Sequence, residues 1–269
     1  MKATDKTIVV TGGGNGIGRE LVLQMLGKGA RLAAVDLSAS ALDETMKLAG
    51  DKQQFLSTHT ANITSKEAVA LLPEQILTRH GNIDGIINCA GIIQPFVKVN
   101  ELDYDAIERV MNVNFWGTIY MTKTFLPYLL KRPEAHIVNV SSMGGFLPVP
   151  GQSIYGASKA AVKLFTEGLY SELKNTNVHV TVVFPGAVDT DIVKNSGLGD
   201  SINLEEASKN SSIKMITPEK AAQIIIAGMQ QNQFRVLAGP DSKFMDFLYR
   251  LNPKFATNFI YKQMKSLLN

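Results

Sequence analysis

One cysteine, Cys89, occurs among the 269 residues, so no internal disulfide can form. That fits a reducing, cytoplasmic setting. The histidines, at positions 59, 80, 136 and 179, are scattered without metal-ligand spacing; they read as structural or solvated, and no metal is expected. Nowhere does an apolar run approach the roughly 20 residues that span a bilayer. Met1 to Lys6 lead straight into apolar, strand-like sequence, which leaves no room for a signal peptide. A net charge of +3 is too small to point to nucleic acid. No Pro/Ser linker, internal repeat or low-complexity tract divides the chain. What remains is 45% hydrophobic and 19% charged, the balance of a folded globular unit.

Apolar runs that suit strands alternate with helical patterns throughout. Lys6–Val10, Arg31–Val35, Gln54–Thr60, Ile83–Ile87, His136–Val140, Val178–Val183 and Phe234–Ala238 read as strands. Helices are predicted over Arg19–Leu26, Ala39–Ala49, Ser65–His80, Asp103–Leu130 and Ile154–Asn175. A further helix opens at Thr217-Pro218, an N-cap followed by a first-turn proline. Such alternation predicts a single-domain α/β fold, a Rossmann-like doubly wound parallel sheet with helices on both faces.

The first strand runs into Thr11-Gly-Gly-Gly-Asn-Gly-Ile-Gly18 and then a helix. Strand, glycine-rich turn and helix together aim helix N-terminal amides at a phosphate. Gly12, Gly16 and Gly18 would permit the tight turn, close approach of a pyrophosphate, and close helix–strand packing. The second strand ends in Asp36, about twenty residues past the loop, where an acid can hold both adenosine ribose hydroxyls and repel a 2′-phosphate. Asp36 could instead simply cap the following helix. The position before Gly16 is Asn15, not a base that could pair with such a phosphate. Both features favour NAD over NADP.

Tyr155 and Lys159 stand at i and i+4, so on a helix the ammonium can approach the phenol. A nearby positive charge lowers a phenol pKa of about 10 toward the range useful for proton transfer. The same pair also fits an ordinary solvated helix face. Ser142 adds weight, because Val138-Asn-Val-Ser-Ser142-Met-Gly-Gly145 reads as a buried strand ending in a small-residue loop. Strand ends in open α/β sheets are where ligands bind.

With these motifs in order, the chain resembles the short-chain dehydrogenase/reductase family along essentially all of residues 5 to 240. The matching pieces are the T-G-x-x-x-G-x-G loop (Thr11 to Gly18), Asn88-Cys-Ala-Gly91 for N-N-A-G, and Asn112-Val-Asn114 for N-x-N. Ser142, Tyr155-x-x-x-Lys159 and the turn Pro185-Gly186 complete the set. Cys89 departs mildly from the pattern and reads as a buried small side chain.

The resemblance implies an oxidoreductase that moves hydride between NAD(H) and a secondary alcohol or ketone. Tyr155 would then be the general acid/base. Lys159 would lower its pKa and hold the nicotinamide ribose, and Ser142 would orient the reacting oxygen. Asn114 matches the fourth catalytic residue, which shapes the long helix and holds a water linking Lys159 to solvent. Ile17 joins the loop residues at the cofactor. Asn62, followed by Ile63, stands where the family usually has an aspartate against the adenine; its amide oxygen could still accept that bond. Asn88, Ala90 and Gly91 would line the adenosine ribose by close backbone approach. Pro185, Gly186, Val188 and Thr190 match the turn at the carboxamide end of the nicotinamide. Met143, beside Ser142, is expected to touch substrate. On this reading residues 1–240 form the NAD-binding catalytic domain, with a substrate loop near 190–216. The family's homodimer or homotetramer assembly is expected too.

Residues 241–269 extend that domain. Phe244, Phe247, Leu248 and Leu251 recur at helical spacing, and Phe255, Phe259 and Ile260 follow the break at Pro253. From Lys243 onward, Lys243, Arg250, Lys254, Lys262 and Lys265 accompany them, against the single acid Asp246. Such a tail could pack on its own body or a partner subunit, wall a greasy substrate cleft, or lie on a membrane surface as a peripheral contact. The favoured small-molecule substrate is apolar, a steroid-, retinoid- or lipid-like alcohol. A small polar alcohol or sugar is the alternative, as is a non-catalytic dinucleotide-binding sensor or scaffold.

Overall fold

The computed structural model describes residues 1–199 and 215–265. Strands and helices follow one another as β1 (Thr7–Thr11), α1 (Gly16–Gly27), β2 (Arg31–Asp36), α2 (Ala39–Leu48), β3 (Leu56–Thr60), α3 (Lys66–His80), β4 (Gly85–Asn88), α4 (Tyr104–Met111), α5 (Gly117–Leu129), β5 (Ala135–Val140), α6 (Ser153–Glu172) and β6 (Val178–Pro185). Beyond them lie α7 (Ile192–Asn195), α8 (Pro218–Gln230), β7 (Arg235–Ala238), α9 (Pro240–Leu251) and α10 (Pro253–Met264). The sheet is seven-stranded, in the order β3-β2-β1-β4-β5-β6-β7, and every neighbouring pair is parallel.

Both faces of the sheet are buried, which is why its strands read as near-continuous apolar runs. Ile8 and Val10 of β1 pack with Leu21 and Met25 of α1 and Ile225 and Met229 of α8. Val9 turns the other way, toward Leu72 and Ile76 of α3 and Met121 and Phe125 of α5. That is the period-two alternation of a strand. Phe125 has no solvent exposure, so truncating it to alanine should cost about 3–5 kcal/mol.

Several helices begin where a short polar side chain accepts a first-turn amide. Ser38 accepts from Ala41, Ser65 from Ala68, Thr217 from Lys220 and Asn252 from Phe255. Two predicted segments change form. The start of the third predicted strand is taken by a 3₁₀ turn over Gly50–Phe55. The long helix expected over Asp103–Leu130 carries a π-helical bulge at Asn112–Trp116 between α4 and α5.

From β1 the chain builds outward through β2 and β3, then returns to lay β4 against the other side of β1. The carboxyl ends of β1 and β4 therefore flank a topological switch point, the crevice in which open α/β sheets bind ligands.

The tail forms two helices, α9 and α10, divided at Asn252. It packs on its own chain: Met245, Ala256 and Ile260 share a buried cluster with Met143 and Leu147. The apolar stripe of α9 does not face that cluster. Phe244, Phe247 and Leu251 are more than half exposed, whereas Ser242, Met245 and Asp246 turn inward. No described helix is long and apolar enough to cross a membrane.

Candidate active site

The glycine loop is shaped by contacts that exclude side chains. Gly12 has φ +72°, and a Cβ there would lie 3.0 Å from the Cα of Ala90. At Gly18 a Cβ would fall 2.0 Å from the carbonyl oxygen of Gly12. Helix α1 can start so close to β1 only with glycine at both positions. Asn15 caps the helix, its Oδ1 accepting from Gly16 N at 2.8 Å. Arg19 steadies the loop through Nε to Gly14 O at 2.9 Å and pairs with Glu44 at 2.7 Å. The amide end of α1 is thus left facing a cleft of about 770 Å³.

Asp36 lies on that cleft. Its Oδ2 accepts from Gly14 N and its Oδ1 from Ser38 N, both at 3.0 Å. Ser38, not Asp36, is the cap of α2. The carboxylate braces the glycine loop and leaves its remaining lone pairs to the cleft. Asn62 lines the cleft too, but its Oδ1 already accepts from Thr64 N at 3.0 Å and Thr64 Oγ1 at 2.8 Å. What Asn62 offers a ligand is its amide NH₂ rather than the oxygen expected from the sequence. Ile63, at the cleft wall, packs where Gly117 leaves room for it.

Cys89, Ala90 and Gly91 line the cleft, whereas Asn88 is turned into the core. Its Nδ2 donates to Asn139 Oδ1 at 2.8 Å and Thr122 Oγ1 at 3.1 Å, so its side chain ties β4 to β5 and α5. Thr11 joins the two strand ends, its Oγ1 accepting from Cys89 N and Ala90 N at 3.1 and 3.2 Å. Burial pushes the Cys89 thiol up to about 12, so it stays protonated and unreactive.

Ser142, Tyr155 and Lys159 meet on the opposite wall. Ser142 Oγ hydrogen-bonds the Tyr155 phenol and also accepts from Gly144 N at 3.0 Å. Lys159 Nζ lies 6.0 Å from the Tyr155 ring centre and donates to Val140 O at 3.0 Å. Burial brings the ammonium down to about 8. Burial also raises the Tyr155 phenol above its ordinary value, and the Ser142 hydrogen bond offsets part of that. The depression by Lys159 expected from the sequence is therefore not the dominant effect in the protein alone. Desolvation wins.

Asn114 sits in the π-bulge with no solvent exposure. It donates to Ile92 O and Ser158 Oγ and accepts from Ile92 N, each at 2.9 Å. It stands behind the wall of the cleft, holding Ile92 to α6, while Asn112 is exposed. Met143 does not line the cleft. Ser142 is extended (φ −165°, ψ 160°), so the next side chain points away, into the buried cluster with the tail.

Pro185, Gly186, Val188 and Thr190 line the cleft beside Ile17 and Gly16. Behind them stands a residue with no sequence signal, Asp241 of α9. Its Oδ2 accepts from Ala187 N at 2.7 Å, and its carboxylate occupies the space a Cβ on Gly186 would fill. Ser141 was equally unmarked; its Oγ donates to Lys159 O at 2.7 Å and fastens α6 to the end of β5. Away from the glycine loop the walls become apolar: Ile93, Phe96, Val149, Met215 and, from the tail, Met264. Residues 200–214 of the expected substrate loop lie outside the described residues.

A family model described as short chain dehydrogenase matches residues 6–201. Over 250 residues the chain is 34% identical to a putative oxidoreductase, SadH, of Mycobacterium tuberculosis, covering 91% of this chain and 90% of that protein. A short-chain dehydrogenase/reductase from Burkholderia phymatum, solved in complex with NAD, superposes with a TM-score of 0.84 at 23% identity, covering 95% of this chain and 96% of that one. A short-chain dehydrogenase from Burkholderia cenocepacia in complex with NADP gives 0.78 at 25% identity, covering 97% and 99%.

Proposed function

This chain belongs to the short-chain dehydrogenase family, and on that premise we propose that it interconverts a lipophilic secondary alcohol and its ketone with NAD(H). The observation that carries the reading is one cleft that joins the glycine loop and Asp36 to Ser142, Tyr155 and Lys159. When bound, the dinucleotide supplies the hydride acceptor or donor. In the oxidation direction Ser142 holds the carbinol oxygen and Tyr155 takes its proton; in reduction Tyr155 returns it. Lys159 supplies positive charge beside the phenol and an ammonium within reach of ribose hydroxyls. Asn114 keeps the cleft wall and α6 in register.

NAD is preferred over NADP on electrostatic grounds. A 2′-phosphate would meet the Asp36 carboxylate, with Leu37, Ser38 and Ala41 as its neighbours. Lys159, at the other end, is the sole basic residue among the described residues that line the cleft. The apolar walls formed by Phe96, Val149, Met215 and Met264 support a greasy substrate. Pairing of copies into a homodimer or homotetramer would give the exposed Phe244, Phe247 and Leu251 a partner. The test is an absorbance screen for NADH formation with secondary alcohols of rising hydrophobicity, run with NAD and with NADP. Turnover should increase along the series and favour NAD; a preference for short, polar alcohols would overturn the substrate class.

A further inference from the structure

The proton-transfer role requires the Tyr155 phenol to be held in place, yet the helix bearing it starts without a cap of its own. Gln152, at the N-cap of α6, makes no side-chain capping bond. The first-turn amides are satisfied from elsewhere. Gln94, in the segment after β4 and with no solvent exposure, accepts at Oε1 from Ile154 N at 2.8 Å and Tyr155 N at 3.0 Å. Its Nε2 donates to Gly151 O at 3.0 Å, and its backbone carbonyl accepts from Gln152 Nε2 at 2.8 Å. With both ends of the amide engaged, its orientation is fixed.

The other peptide group of Tyr155 is held by the same segment through a relay. Tyr155 O accepts from Ser158 Oγ at 2.7 Å, and Ser158 Oγ accepts from Asn114 Nδ2 at 2.9 Å. Asn114 in turn grips both backbone groups of Ile92. A few residues earlier, Gly91 lines the cleft, and a Cβ on it would stand 3.0 Å from Lys159 Nζ. One short stretch, Gly91 to Gln94, thus borders the cofactor cleft and also fixes the backbone of Tyr155.

We infer that Gln94 is a positioning residue for the acid/base: it places the Tyr155 phenol for proton transfer, and it does so with a neutral oxygen, leaving uncompensated the positive end of α6, in whose first turn Tyr155 stands. The inference rests on Tyr155 being the group that exchanges the proton. A carboxylate at position 94 could accept from the same amides, although it would lose the bond that Nε2 donates to Gly151 O. It would also set a negative charge at the backbone N of Tyr155 and at the end of its helix, which opposes the phenolate. Glutamine supplies the cap without that charge. Ser142 from the end of β5 and Lys159 from α6 face the same phenol and are untouched by substitution at position 94.

The experiment uses Gln94→Met, which removes the acceptor at similar volume, and Gln94→Glu, which keeps it and adds charge. Tyr155→Phe is the control, NADH fluorescence reports cofactor binding, and the substrate is the best of a 2-alkanol series. Gln94→Met should lower kcat roughly 10- to 100-fold while the Kd for NADH stays within about twofold. Gln94→Glu should retain more activity than Gln94→Met but move the acidic limb of its kcat profile to higher pH by about one unit. The phenolate absorbance of Tyr155, isolated by subtracting Tyr155→Phe, should move the same way and needs no turnover. If Gln94→Met melts lower yet matches wild-type kcat, the residue is only a structural cap and the inference fails. It fails equally if Gln94→Glu leaves both the profile and the phenolate titration in place, a readout that stands even where Gln94→Met does not fold. Full activity in Tyr155→Phe would instead bring down the proton-transfer reading itself.

Discussion

Lys159 donates from Nζ to the carbonyl of Val140 at 3.0 Å, from a side chain only 4% exposed. Its pKa, near 8 in the folded protein against 10.5 ordinarily, makes it a stability-sensing group as well as a site residue. Below pH 8 it is charged whether the chain is folded or not, and the folded state carries the full burial penalty. From about 8 to 10.5 the unfolded chain binds the extra proton, so stability rises with pH, by an amount on the order of 3 kcal/mol. Wild type should therefore gain stability relative to Lys159→Met between pH 8 and 10 in denaturant titrations. Parallel pH profiles would contradict the assignment.

Gly18→Ala places its methyl 2.0 Å from the Gly12 carbonyl, a backbone atom that cannot swing away. Unfolding stability should fall by about 2 kcal/mol or more, and NADH binding should fall with it. Gly27→Ala, on the same helix with open space around its Cβ position, should be neutral or stabilising by up to about 1 kcal/mol. Thermal melts of the two variants side by side make the comparison.

Asp36→Asn removes the charge and keeps only one of the two acceptors, so its NH₂ would face either Gly14 N or Ser38 N. The ratio of kcat/KM for NAD over NADP should drop roughly tenfold, about 1.4 kcal/mol of discrimination. An unchanged ratio would locate the selectivity elsewhere.

Asp241→Ala deprives Ala187 N of its partner at the turn beside Gly186. Leaving that amide unpaired costs about 1–3 kcal/mol. Affinity for NADH should weaken more than affinity for the alcohol, and Asp241→Asn should recover much of the loss. Isothermal titration with NADH reads this directly; unchanged affinity in Asp241→Ala would separate the tail from the cofactor turn.

The sequence made legible whatever depends on local pattern. Strands buried on both faces wrote themselves as apolar runs, Thr217-Pro218 announced its helix, and Tyr155 and Lys159 sit on one helix as their spacing requires. What escaped depends on which way a side chain turns or on partners far away along the chain. Met143 follows Ser142, yet an extended backbone sends it to the opposite side. Asn88 shares a motif with Ala90 and Gly91 but points into the sheet. The stripe Phe244, Phe247, Leu251 is helical as its period says, although period alone could not tell that it faces outward. Gln94 and Asp241 act across 61 and 54 residues of chain, distances at which no spacing rule speaks.

The most direct test of the account is Tyr155→Phe, assayed for both NADH binding and alcohol oxidation. The ring still fills its place and only the proton-exchanging hydroxyl is lost. Binding of NADH should stay within a few-fold of wild type while turnover falls by roughly 10²- to 10⁴-fold. Turnover near the wild-type level, with NADH bound normally, would contradict the role given to Tyr155 and with it the reading of this cleft.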